Sequence, residues 1–242
     1  MKDNSPIFKH IPLSEDFNNW WYVGRKQILK YILTNQNISK ELTILEIGPG
    51  VGVNIKILQE FGNVDILEVD EYFVDIINKN NKLKVNSVYD SFSKITKKYD
   101  LVVFMDVLEH IEHYDKFLND VANIMTDNAV GVMSVPAYQS LFSKHDQNLR
   151  HFRRYSWRLI EDQLKNRFTI QNKIGYNFLL LPIRFLQIKL NYGVNSTKNH
   201  GKFTDSVLYA ISVVEHFFRR IRINPKFGIS IYATLKKRAI NA

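Results

Sequence analysis

Three stretches of this sequence combine residue types and spacings that can do chemistry. The first is Glu46-Ile47-Gly48-Pro49-Gly50-Val51-Gly52, an acid followed by glycines at alternate positions. Side chains at 48, 50 and 52 would block a ligand from the backbone, so glycines there permit a sharp turn and a close approach. A helix opening after them offers unpaired amide groups. A phosphate-cradling loop needs Lys-Ser/Thr after its glycines, and Val53-Asn54 stands there instead. A dinucleotide fingerprint, G-x-G-x-x-G/A, accommodates Gly48 and Gly50 but meets Val53 at its third position.

The second stretch is carboxylic. Asp70 follows an apolar run, 18 positions after Gly52. A carboxylate there can accept hydrogen bonds from both hydroxyls of a ribose, or cap the helix that follows; Glu68 takes the ribose role if the strand register differs. The third stretch gathers His145, Asp146, His151, Arg153, Arg154 and Tyr155 within eleven residues. Guanidinium pairs recognise carboxylates and phosphates bidentately, which makes Arg153 and Arg154, with Tyr155, candidates for substrate binding. The imidazoles of His145 and His151, and of His110 upstream, are candidate catalytic bases near neutral pH. The alternatives are that Arg153 and Arg154 brace the loop against Asp106 or Glu109, and that His110 is a half-buried residue capping a turn. A metal held by His145, Asp146 and His151 has no supporting ligand motif, and no metal is expected.

The elements that must position these groups alternate. Thr43 to Ile47, Val64 to Val69, Leu83 to Val88, Asp100 to Met105 and Ala129 to Val135 read as strands. Between them, Val53 to Phe61, Tyr72 to Asn78 and Tyr114 to Met125 carry apolar residues at helical spacing. That order predicts a parallel sheet with right-handed crossovers and ligands beyond the carboxyl ends of its strands, where the polar stretches above fall. After Pro136 the pattern gives a helix at 156–166, a strand at 167–174, an apolar segment at 178–192, a polar loop at 191–202, a long helix at 205–221 and a strand at 228–235. In the long helix, Leu208, Ile211, Val214 and Phe218 share one face.

The acid-x-Gly-x-Gly-x-Gly loop resembles the first motif of the class I S-adenosylmethionine-dependent methyltransferases. Met105-Asp106-Val107-Leu108-Glu109-His110 resembles the D-V-L-E-H signature of one branch of that family. The Trp20-Trp21-Tyr22-Val23-Gly24-Arg25 segment, the HD…H-x-R-R-Y run, Gly175-Tyr176-Asn177 and the final P-K-F-G-I-S-I-Y-A are similar to that branch as well. The resemblance implies that Gly48, Gly50 and Gly52 shape the loop beside the methionine part of the cofactor, with Glu46 behind it toward the ammonium group. It implies that Met105 and Asp106 line that end and that His110 sits near the methyl group. It further implies an aromatic lid with Arg25 near the cofactor carboxylate, and an adenine contact from the Val88 backbone. The family's usual adenine acid is replaced by Ser87, with Asp90 as a weaker substitute. The implied fold is a Rossmann-like, doubly wound α/β sheet of seven strands with helices on both faces, mostly parallel, its antiparallel last strand at one edge.

The expectation is therefore one methyltransferase domain over 1–242: a helical lid at 1–42, a cofactor-binding core at 43–136 and a substrate-side segment at 137–242. It would pass a methyl group from S-adenosylmethionine, by in-line displacement, to an oxygen or nitrogen of a small-molecule, lipid or glycan acceptor. A non-catalytic regulator that binds the same cofactor is the alternative. Charge bears on the acceptor. Residues 1–143 hold 14 Lys and Arg against 19 Asp and Glu (−5), whereas 144–242 hold 19 against 5 (+14), which suits an anionic acceptor or a membrane surface. Phe178 to Leu190, interrupted by Pro182, Arg184 and Lys189, is too short and charged to span a bilayer but can lie at its interface. A nucleic-acid substrate ranks low, since the Asn/Asp-Pro-Pro-aromatic motif of base methylases is absent. Zero cysteines and a start without a basic-then-apolar signal pattern favour a cytoplasmic protein, with peripheral membrane contact through that segment.

Overall fold

The computed structural model describes residues 20–35, 41–190 and 202–238. Residues 1–19 and 36–40 of the expected lid, and the 191–201 part of the polar loop, lie outside the described residues.

Seven strands form one sheet: β1 (Leu42–Ile47), β2 (Gly62–Leu67), β3 (Val88–Tyr89), β4 (Tyr99–Met105), β5 (Met125–Pro136), β6 (Phe168–Tyr176) and β7 (Ser230–Lys237). Their order across the sheet is β3-β2-β1-β4-β5-β7-β6. β1 through β5 pair in parallel, while β7 runs antiparallel to both β5 and β6. The antiparallel strand is thus interior, and β6 forms the edge. The expected edge position of the last strand is corrected: β7 is inserted between two strands made before it.

Two apolar layers sandwich the sheet, and the strand period of two assigns side chains to them. Leu45, Ile47, Val102, Phe104, Met133 and Val135 face α4 (Tyr114–Ile124) and α6 (Trp157–Leu164). Ile44, Leu101, Val103, Met105, Val130 and Val132 face α1 (Trp20–Asn35), α2 (Ile55–Leu58) and α3 (Glu71–Lys79). Central strands buried on both faces are what a continuous run such as Tyr99–Met105 requires. Among the described residues there are three further α-helices, α5 (Lys144–Asn148), α7 (Leu181–Lys189) and α8 (Lys202–Arg220), the last packing on α1.

Two expected strands change extent. β2 begins at Gly62, which pairs with Leu42, and ends at Leu67, so Glu68 rather than Val69 and Asp70 stands at its carboxyl end. The third strand shrinks to Val88 and Tyr89, because only these continue the ladder with Ile66 and Leu67.

Candidate active site

The glycine loop leaves β1 where the strand emerges from the core. Gly48, Gly50 and Gly52 all have positive φ, at 64°, 54° and 80°. A Cβ on Gly48 would stand 2.8 Å from Val107 Cγ2, so this glycine lets the β1 and β4 loops touch. A Cβ on Gly50 would meet nothing within 4 Å: the backbone there faces open space. Glu46, on the α1/α2 side of the sheet, is 2% exposed. One of its oxygens accepts a 2.8 Å hydrogen bond from Asn54 Nδ2, which also approaches Met105 Sδ at 3.7 Å. The other oxygen, like Asn54 Oδ1, is buried without a partner. Burial pushes the Glu46 carboxyl up to about 7, against the opposing pull of the Asn54 bond. A buried acceptor left unsatisfied costs about 1–3 kcal/mol, and a cationic donor would remove that penalty. The loop and its acids fit the amino-acid end of S-adenosylmethionine on these grounds.

Glu68 is the second buried acid. It accepts from the amides of Gly50 (3.1 Å) and Asp70 (3.0 Å), so it ties the glycine loop to the end of β2. Burial raises its pKa, and these backbone bonds oppose the rise. Together with Gly48, Asp90, Ser91, Phe92 and Val107, Glu68 lines a cavity of about 370 Å³. Asp70 does not line it; its side chain accepts from the Tyr72 amide at 2.9 Å and caps α3. Val88 does not line it either; its backbone is part of the β2–β3 ladder and its side chain is 42% exposed.

At the end of β4, Met105 is buried and Asp106 turns the chain at φ 54°. Asp106 accepts from Ser134 Oγ at 2.8 Å, and its amide donates to the Ser134 carbonyl at 2.9 Å. Its second oxygen forms an ion pair with Arg25 of α1, whose guanidinium also lies 5.9 Å from the Trp21 ring centre. Burial would lower the Arg25 pKa, but Asp106 turns the balance upward. Among the described residues Arg25 is therefore held against Asp106, and Trp21 stacks edge-on with Trp20. Just beyond, Glu109 is fully buried with neither carboxylate oxygen partnered, and burial lifts its pKa well above the usual range. His110 meets His151 ring edge to face at 4.6 Å. Burial first, and the His151 ring second, push His110 down to about 4.

The segment after β5 is laced onto this turn. Asp146, wholly buried, accepts from the Ser143 amide (2.9 Å), Ser143 Oγ (3.1 Å) and Arg154 Nε (2.8 Å), and lies 3.0 Å from His151 Nδ1. Burial works against its ionisation, but the bonds to His151 and Arg154 hold its carboxyl well below the usual range. Arg153 donates to the Ile111 and Glu112 carbonyls at 3.0 and 2.9 Å, and the Tyr155 hydroxyl donates to the Leu108 carbonyl at 3.1 Å. Arg153, Arg154 and Tyr155 thus turn toward internal partners rather than toward open space. Of the three candidate bases, His110 and His151 come together, while His145 stays exposed on α5. The ligand atoms of Glu109, His110 and His151 lie within 4.8 Å of one another, close enough for one cation; His145 is outside that group. Asn54, Ser134 and Phe92 escaped sequence reasoning. Asn54 alone carried a signal, as a polar residue immediately after a glycine loop.

Residues 17–172 match the family model described as a methyltransferase domain. The chain is 24% identical over 136 residues to the ubiquinone biosynthesis O-methyltransferase of Rickettsia typhi, a match covering 48% of this chain and 55% of that protein. The chain spans about half the length of the curated relatives it matches. Among solved structures, it resembles an S-adenosylmethionine-dependent methyltransferase from Clostridium acetobutylicum, with a TM-score of 0.54 at 16% identity over 94% of each chain. It also resembles magnesium protoporphyrin IX methyltransferase from Synechocystis, solved with S-adenosylhomocysteine, with a TM-score of 0.55 at 16% identity over 90% of this chain and 85% of the other. At such identities the structures show the fold alone. With the family model spanning well over half its length, this chain belongs to the methyltransferase domain family, and it has the fold of solved S-adenosylmethionine-dependent methyltransferases.

Proposed function

We propose that the enzyme methylates a hydroxyl oxygen of a small-molecule acceptor bearing negative charge, and that all 242 residues act as one domain. When bound, S-adenosylmethionine supplies an electrophilic methyl on a sulfonium. The observation that carries the reading is the convergence of Glu46, the glycine loop, Glu68 and the Met105–Asp106 turn at the carboxyl ends of β1, β2 and β4. Glu46, held by Asn54, receives the ammonium group. Glu68, which lines the cavity, takes the ribose hydroxyls in place of Asp70, which does not line it and caps α3. Asp90, Ser91 and Phe92 border the adenine instead of the Val88 amide.

Catalysis of methyl displacement rests mainly on alignment, worth up to about 7–11 kcal/mol in favourable cases. A hydroxyl acceptor also has to lose a proton. His151, oriented through Nδ1 by Asp146, takes that proton, and His110 packs against it. Oxygen is favoured over nitrogen by this imidazole pair and by the O-methyltransferase name of the relatives. Arg153, Arg154 and Tyr155 act by fixing the 106–112 turn rather than by touching the acceptor. The positive balance of residues 144–242 favours an anionic acceptor.

The test is transfer of label from isotope-labelled S-adenosylmethionine into a fractionated lysate, followed by identification of the product. An O-methylated anionic product is expected, with loss of labelling in His151→Ala. A labelled amine would overturn the oxygen assignment, and calorimetry showing no cofactor binding would overturn the site.

A further inference from the structure

Helix α8 buries polar side chains most deeply and leaves large apolar ones exposed. A helix on a protein surface normally turns its apolar stripe toward the core. In α8 the residues turned inward are Ser212, Glu215 and Arg219, exposed by 2%, 0% and 1% and spaced along one face. Ser212 shares a 3.1 Å hydrogen bond with the Tyr176 hydroxyl. Glu215 accepts from the Asn177 and Leu179 amides at 2.8 and 2.9 Å, and Arg219 donates to the Gly175 carbonyl at 3.0 Å. The outward side carries Val213, Val214, Phe217 and Ile221, each at least 45% exposed.

Helix α7 continues the pattern. It has no buried residue, and Ile183, Leu186 and Leu190, at helical spacing, are 53%, 56% and 64% exposed. Phe178, just before α7, packs on both Phe218 and Phe227, so the two helices belong to one surface. Among the described residues, 13 of the 16 large exposed apolar side chains lie between Leu179 and Phe227. Isolated exposed apolar residues need no explanation, but a concentration of this kind marks an interaction surface.

Charge selects the occupant. Residues 178–227 contain eight Lys and Arg against two acids, Asp205 and Glu215. Glu215 is buried against Arg219, whereas Lys189, Arg220, Arg222 and Lys226 are exposed. A second copy on a two-fold axis would lay this cationic rim against itself. An anionic bilayer neutralises it and accepts the apolar side chains at the headgroup boundary, while lysine and arginine reach the phosphates. No described helix is long and apolar enough to cross a membrane.

We propose that the outer faces of α7 and α8 dock the enzyme on an anionic lipid surface. On its other side α7 is anchored to the sheet, since Phe185 packs on Tyr138, which follows β5. The inference is independent of which acceptor atom receives the methyl. Its test is sedimentation of the full chain with phosphatidylcholine vesicles, with and without phosphatidylglycerol, with cofactor affinity followed separately by calorimetry. Binding to the anionic vesicles, weakened by salt, is expected. Neutralising Arg220, Arg222 and Lys226 with glutamine lowers partitioning about a hundredfold, at roughly fivefold per charge. Leu186→Ser with Phe217→Ser also releases the protein from vesicles while leaving cofactor affinity unchanged. Absence of wild-type binding to anionic vesicles at low salt overturns the proposal. So does a concentration-dependent dimer that the Ser pair dissociates, which would make a second copy the occupant. Loss of cofactor affinity alone counts against the enzyme reading and leaves the docking face standing.

Discussion

The sheet between Leu42 and Pro136 and the helical region between Leu179 and Phe227 follow opposite rules of burial. In the sheet and its connecting loops, apolar side chains fill both layers; of the buried acids there, Asp65 is paired with Tyr99 and Lys97, whereas Glu46 and Glu68 stand at strand ends beside the glycine loop. In the helical region, an acid and a base are buried together while many large apolar side chains stand exposed. The difference shows that a buried carboxylate has two separate uses in this molecule. Glu46 keeps one oxygen without a partner and so open to a ligand's donor, whereas both oxygens of Glu215 are taken by backbone amides, as in a structural clasp.

The comparison breaks most sharply at Glu215. Glu215→Ala removes the acceptor for two amides and strands the buried Arg219, so a loss of about 3–5 kcal/mol is expected in urea unfolding. On an ordinary surface helix the same change would be nearly neutral. Leu118→Ala, in the apolar layer under α4, should cost about 2–5 kcal/mol by the same measurement, with no effect on vesicle binding.

The two acids near the end of β2 separate next. Glu68→Ala should weaken cofactor binding in calorimetry by more than about tenfold, or 1.4 kcal/mol. Asp70→Ala should lower stability by about 1 kcal/mol through the lost helix cap and leave affinity within a factor of two or so. The reverse ranking would return the ribose role to Asp70.

Glu46 gives a pH signature. Its carboxyl, pushed up to about 7, must be ionised to receive an ammonium group. Cofactor affinity should therefore rise by up to about tenfold per pH unit on approaching pH 7 from below and level off above it, and Glu46→Gln should flatten the profile. Stability of the free protein runs the other way. A carboxyl whose pKa is raised on folding stabilises fully below its unfolded value, and that contribution is lost as pH rises through about 7. His110, pushed down to about 4, stays neutral throughout this window. The smallest effect belongs to the outer face: Phe217→Ser should shift unfolding stability by no more than about 0.5 kcal/mol, because the ring is already 58% exposed.

Much of the sheet was legible because central parallel strands are buried on both faces and read as unbroken apolar runs, as at Tyr99–Met105. The glycine loop was legible because glycine types are informative where φ is positive. The register of β2 was not. Gly62 and Asn63 fall outside the expected strand, yet they pair with Leu42 and Thr43, and the strand ends at Leu67 with Glu68 next, the position named for a different register. The helical period located α8 but not which side is turned inward, because Glu215 and Arg219 find their partners at residues 175–179, far away in sequence. The fates of Arg153, Arg154 and Tyr155 were hidden for the same reason, their partners being backbone carbonyls and a carboxylate across the turn.

The placement of β7 between β5 and β6 sets a schedule for biosynthesis. The ribosome releases β5 and β6 before the strand that joins them, and at about 5–20 residues per second the gap from β5 to β7 lasts roughly ten seconds. Throughout that interval one side of β5 is an open template for foreign strands, and β6 has nothing to pair with. Pairing with β7 closes that open side of β5 and gives β6 its partner in one step.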